Sequence, residues 1–194
     1  MTMTDDLSRV VRLVAVLNLV YFGVEFYMAL RIDSVSLFAD SIDFLEDASV
    51  NFLIMIGLAW SARRRARLGM ALAALLLAPG IATLWSALEK FSSFAPPEPV
   101  ALSLTGLGAL VVNLSCALML ARHRHGGGSL TKAAFLSARN DAIANVAIIA
   151  AGAVTAWTLS PWPDLVVGLA IGAMNADAAR EVFEAAREER AAAS

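Results

Sequence analysis

Four acids crowd one stretch of the chain: Asp40, Asp43, Glu46 and Asp47. Read as a helix turning about 100° per residue, Ser36, Asp40, Asp43, Asp47 and Asn51 fall within roughly 80° of arc and form one polar stripe. Glu46 lies about 100° away from that stripe. Two carboxylates one turn apart, such as Asp43 and Asp47, repel each other unless a cation or a proton sits between them. A second stretch matches the first. Ser137, Asp141 and Asn145 follow at i, i+4 and i+8 with Asn140 beside them, on a face of about 140°, while Arg139 points the opposite way. Asn18, Tyr21 and Glu25 repeat the pattern at i, i+3 and i+7 in a third stretch.

The chemistry this suggests is divalent cation binding. Asp43 and Asp47 are placed to share one ion. Asp141 offers a third carboxylate, and an oxygen from Ser137 or Asn140 completes four ligands. Fourfold coordination suits Zn²⁺, although zinc more often takes nitrogen or sulfur donors. An all-oxygen set equally admits Mn²⁺, Fe²⁺ or Co²⁺. Carboxylates must be deprotonated to bind metal, so metal and protons compete for such a site.

The elements that must position these groups are read from composition. Of 194 residues, 59% are hydrophobic and only 16% charged, and the mean hydropathy is +0.68. A soluble domain is about a quarter charged and under half apolar, so a freely soluble enzyme is excluded. Six segments have the roughly 20 apolar residues a membrane helix needs: 9–30, 36–60, 68–91, 100–121, 132–159 and 165–179. The last is short and is expected to run on as an amphipathic helix towards Arg190. Turn chemistry separates the segments, including Arg31-Ile32-Asp33, Ala95-Pro96-Pro97-Glu98-Pro99 and Ser160-Pro161-Trp162-Pro163-Asp164. The acidic N-terminus and its long apolar run do not read as a signal peptide. With both termini in the cytoplasm, twelve Lys or Arg lie inside, among them the run Arg63-Arg64-Arg65-Ala66-Arg67, and only Arg31 and Lys90 lie outside, as the positive-inside rule requires. Trp85, Trp157 and Trp162 then sit at outer ends and Trp60 at an inner end. The expected architecture is a single all-α transmembrane domain over 1–194, with a short cytoplasmic helical tail over 180–194.

A charge in a membrane span is costly and is usually functional. The other polar groups have plainer readings. Asn18, Asn51, Asn113 and Asn145 are read as hydrogen-bonding glue between helices. Arg139 is read as half of a buried ion pair with Glu46 or Glu25, because an unpaired buried charge is expensive. The single cysteine, Cys116, excludes a thiolate cluster and reads as a small core residue. With only two histidines, no site built on several imidazoles is possible. His123 and His125 read as part of a solvated basic loop, with metal collection as the sharper alternative. Gly126-Gly127-Gly128 lacks the strand and the Gly-Lys-Ser/Thr ending of a phosphate cradle.

At this point the residues resemble the cation diffusion facilitator family. The stretch Ser34-Val35-Ser36-Leu37-Phe38-Ala39-Asp40-Ser41-Ile42-Asp43-Phe44-Leu45-Glu46-Asp47 is similar, almost position by position, to that family's Ser-x-Ser-Leu-x-Ala-Asp-x-x-(His/Asp)-x-x-x-Asp signature. Asn18 with Glu25, and Ser137 to Asp141 where the family commonly has His-x-x-x-Asp, extend the resemblance. It implies a homodimeric metal/proton antiporter, multi-pass in the plasma (inner) membrane, that exports a divalent cation by alternating access. Its cargo is expected to be Zn²⁺, with Mn²⁺, Fe²⁺, Co²⁺ or Cd²⁺ as alternatives, and no resident cofactor or nucleic-acid partner is expected. The implied site is Asp43 and Asp47 with Asp141, and Ser137 stands where the family usually has histidine or aspartate. About 15 residues follow the last span, where the family usually appends a cytoplasmic domain. The competing readings are an intramembrane phosphotransferase of the CDP-alcohol type and a non-transporting membrane subunit. The first needs an Asp-Gly that occurs nowhere in the chain, and the second leaves the acidic stripe unexplained.

Overall fold

The computed structural model describes residues 3–57, 83–90, 95–122 and 128–192. Among them are six helices and no strand. We number these α1 (Met3–Ile32), α2 (Val35–Gly57), α3 (83–90), α4 (Pro99–Ala121), α5 (Gly128–Thr158) and α6 (Trp162–Ala192). The expected short sixth span and its amphipathic extension are one unbroken helix. The Arg63–Arg67 run, Trp60, His123, His125, Gly126 and Gly127 lie outside the described residues, as does most of the third segment.

Local chemistry sets the helix ends. α1 closes with the Ser34 amide bonded back to the Ala29 carbonyl at 3.0 Å. Asp33, between them, takes a left-handed conformation with φ of 54°. This is the Schellman ending, in which the left-handed seat usually goes to glycine; aspartate is among the few other residues that tolerate it. The Lys90 ammonium, almost fully buried, fixes that turn by donating to the Asp33 carboxylate at 2.8 Å and to its carbonyl. α4 starts behind Glu98, whose carboxylate accepts from the amides of Val100 and Ala101, with Pro99 at the first helical position where its missing N–H costs nothing.

Three helical stretches, Leu7–Ile32, Pro99–Ala121 and Ser137–Thr158, are long and apolar enough to cross a membrane. Their outward faces carry Val20, Tyr27, Leu104, Leu118, Ile143 and Trp157, all exposed. Trp157 and Trp162 are exposed at helix ends, where amphipathic rings suit a membrane interface, and Trp85 of α3 is exposed as well. α2 has the length, but its four acids interrupt the apolar run. It is instead enclosed: α1, α5 and α6 pack around it, and Leu37, Ala39, Ile42 and Phe44 are buried. The protein is therefore a helical membrane protein in which the helix carrying Asp40, Asp43, Glu46 and Asp47 is one of the most enclosed.

Close approach depends on small residues at two crossings. At Gly168 of α6 an added Cβ would lie 2.7 Å from the Ser36 nitrogen and from the Val35 carbonyl carbon. At Gly108 of α4 it would collide with the Tyr21 hydroxyl, which reaches across to donate to the Thr105 carbonyl at 2.6 Å.

Candidate metal centre

The polar stripe of α2 faces the polar stripe of α5, and two hydrogen bonds fix the register. The Ser137 hydroxyl donates to Asp47 Oδ1 at 2.9 Å. The Asn145 amide donates to Asp40 Oδ2 at 2.5 Å. Along α2 these rungs lie seven residues apart, about 10 Å at 1.5 Å per residue. Asp43 and Asp141 occupy the interval between them, half-buried. Asp47 is buried and Glu46 half-buried at the stripe's edge.

Of the five residues singled out from the sequence, Ser137 and Asp47 are joined by a hydrogen bond, and Asp43 and Asp141 lie on the same two facing stripes. Asn140 does not join them. It is exposed, and its side-chain oxygen accepts from Arg139 at 3.2 Å. Its position about 100° round α5 from Asp141 carries it to the rim of the polar face. Arg139 corrects a second expectation. It is exposed on the far side of α5 rather than buried in an ion pair with Glu46 or Glu25. Its direction followed from the helical wheel; its burial did not, because the far side of α5 is not covered by α2.

The asparagines divide. Asn113 of α4 donates to Asn145 of α5 at 2.9 Å, and Asn18 of α1 accepts from Cys116 of α4 at 3.9 Å, so these do join helices. Asn51 turns back to the Asp47 carbonyl of its own helix at 2.8 Å. Cys116 is fully buried among Val14, Ala117, Leu120 and Ala138, as a core residue. Glu25 is fully enclosed, with its carboxyl beside that of Asp40.

Among the described residues, no three Asp, Glu, His or Cys side chains are close enough to hold one ion as they stand. Asp47 and Asp40 are turned to donors on α5 instead. Gathering Asp43, Asp47 and Asp141 on one cation requires those side chains to swing inward, with Ser137 exchanging its bond to Asp47 for another partner.

One group went unnoticed in the sequence. Asp164, read there as turn chemistry, is fully buried in the first turn of α6 and holds the start of α2. The signal was present in principle: a membrane helix that opens with Ser-x-Ser needs acceptors for its first amides.

The family model for the cation efflux transmembrane domain matches residues 11–189. The chain belongs to this family, whose members are transporters and not enzymes. It is a cation efflux transporter, a membrane protein that moves metal cations. No curated protein matches the chain.

Proposed function

We propose that the chain exports a divalent metal ion in exchange for protons, through a site made by Asp43, Asp47 and Asp141 with Ser137 at its edge. The observation that carries this reading is the facing of two polar stripes, one with Asp43 and Asp47 and the other with Asp141, tied by the Ser137–Asp47 hydrogen bond inside an apolar bundle. Three carboxylates on two facing helices of a membrane domain favour a doubly charged cargo, and protons compete with that cargo for the same oxygens. Antiport follows if the site opens to one side with metal and to the other with protons. Zn²⁺ is the leading cargo by family resemblance. The donor set is all oxygen, however, and serine replaces a nitrogen or carboxylate ligand, which moves preference towards harder ions such as Mn²⁺. By the same resemblance the transporter works as a homodimer in the plasma membrane, with both termini in the cytoplasm.

The test is uptake into proteoliposomes under an imposed pH gradient, with Zn²⁺, Mn²⁺, Fe²⁺, Co²⁺ and Cd²⁺ compared. Gradient-dependent flux of at least one of them is expected. Flux that ignores the gradient would leave a uniporter, and no flux of any would overturn the reading.

A further inference from the structure

The first turn of α2 presents four amides without partners inside the helix, as every helix start does. Each can be followed to its acceptor. The Ser34 amide bonds back to the Ala29 carbonyl of α1 at 3.0 Å, and Leu37 to the Ser34 hydroxyl at 3.2 Å, so Ser34 caps its own helix. The other two amides leave the helix. Val35 donates to Asp164 Oδ2 at 2.9 Å and Ser36 to Asp164 Oδ1 at 3.2 Å. Both serine hydroxyls join them on Oδ1, Ser34 at 2.7 Å and Ser36 at 2.6 Å. One carboxylate, 130 residues along the chain from Ser34 and fully buried, thus takes four donors from the start of α2. A negative charge at a helix N-terminus is also favoured by the helix dipole.

The clamp continues along α6. Asp164, Gly168, Ile171 and Asn175 recur at i, i+4, i+7 and i+11, one face of a helix. Gly168 brings the two backbones together. Asn175 donates to the Ala39 carbonyl at 3.1 Å, one turn further along α2. Two fixed points a turn apart set both the height of α2 and its rotation about its own axis. Asp43 and Asp47 follow on that helix, about 12 and 18 Å beyond Val35 at 1.5 Å per residue. A rotation of α2 by one residue, about 100°, would turn both carboxylates away from Asp141 and Ser137.

We propose that Asp164 is a positioning residue for metal transport: through Ser34 and Ser36 it holds α2 at the rotation that presents Asp43 and Asp47 to α5, and it stays engaged throughout the transport cycle. This rests on the transport reading above. Asp164 touches no cargo in this account. Its effect on the metal passes through the orientation of α2.

The experiment uses the full chain in proteoliposomes, with Zn²⁺ and Mn²⁺ as probes. Asp164→Asn keeps the shape but sets an NH₂ group against donors of α2. Groups that orient metal ligands typically change affinity or activity 10–100-fold when altered, so the metal KM is expected to rise by about 10–100-fold. Maximal rate per inserted protein should change little. An unchanged KM, whether or not the amount of active protein falls, would overturn the proposal, because a merely structural defect lowers the number of working transporters. A second arm replaces the clamp by a covalent bond, in the variant carrying both Ser36→Cys and Asp164→Cys; the buried Cys116 stays out of reach. The pair is expected to cross-link on oxidation, and oxidation should return KM towards the wild-type value. Failure to cross-link, or transport blocked by the cross-link, would each overturn the proposal, the latter by showing that the clamp must open. Cross-linking does not depend on transport, so a wild-type protein that moves no metal would refute the transport reading separately.

Discussion

Asp47→Asn removes one negative charge from the proposed centre and little else. The asparagine oxygen still accepts the Ser137 hydroxyl that now reaches Asp47 at 2.9 Å, and the volume is unchanged, so α2 and α5 keep their register. Asp47 is only 5% exposed, so a cation beside it is poorly screened by water. Taking one partner from a buried charged contact costs about 3–5 kcal/mol. At 1.4 kcal/mol per tenfold, that is a loss of roughly 140- to 4,000-fold in metal affinity. Calorimetric titration of purified protein measures the affinity, and flux in proteoliposomes measures its consequence. Thermal unfolding in the same detergent serves as the control and should be nearly unchanged. Metal affinity within about threefold of wild type, less than 1 kcal/mol, in a normally folded Asp47→Asn protein would refute the placing of Asp47 on the ion.

Other changes test neighbouring parts of the account. Ser137→His supplies an imidazole where a hydroxyl now stands and should shift selectivity towards Zn²⁺ over Mn²⁺; competition flux with both ions checks it. Apparent metal affinity should fall with falling pH, by about tenfold per unit for each proton displaced, because the bound form is the deprotonated one. Titrations across pH 6 to 8 read that slope directly. Gly168→Ala would force a Cβ to 2.7 Å from backbone atoms of α2, and such overpacking costs about 1–3 kcal/mol. A lower unfolding midpoint is expected.

Much of this was legible because hydropathy and helical periodicity are local properties. Runs of about 20 apolar residues mark spans, and a 100° rotation per residue aligned Asp40, Asp43 and Asp47 on one side of α2 and Ser137, Asp141 and Asn145 on one side of α5. What escaped depends on which faces meet. Periodicity sent Arg139 to the far side of α5 but could not say that this side is uncovered. Asn51 satisfies itself on its own backbone, a choice that composition does not distinguish from bonding between helices. Asp164 sits in a segment whose two prolines read as a turn, and its donors are near residue 35. Pairing them requires knowing that α6 lies along α2.

One set of carboxylates is proposed to take either metal or protons. Calorimetric titration of the purified protein with Zn²⁺, and with Mn²⁺ if zinc binds weakly, in two buffers of different ionisation enthalpy counts the protons released as metal binds. Net proton release is expected at about pH 6, where protons compete most strongly for the carboxylates, falling as the pH is raised, and a smaller release is expected when the Asp47→Asn protein binds metal. Tight metal binding with no proton release from about pH 6 to 7.5, or the same release after Asp47→Asn, would contradict exchange through these residues.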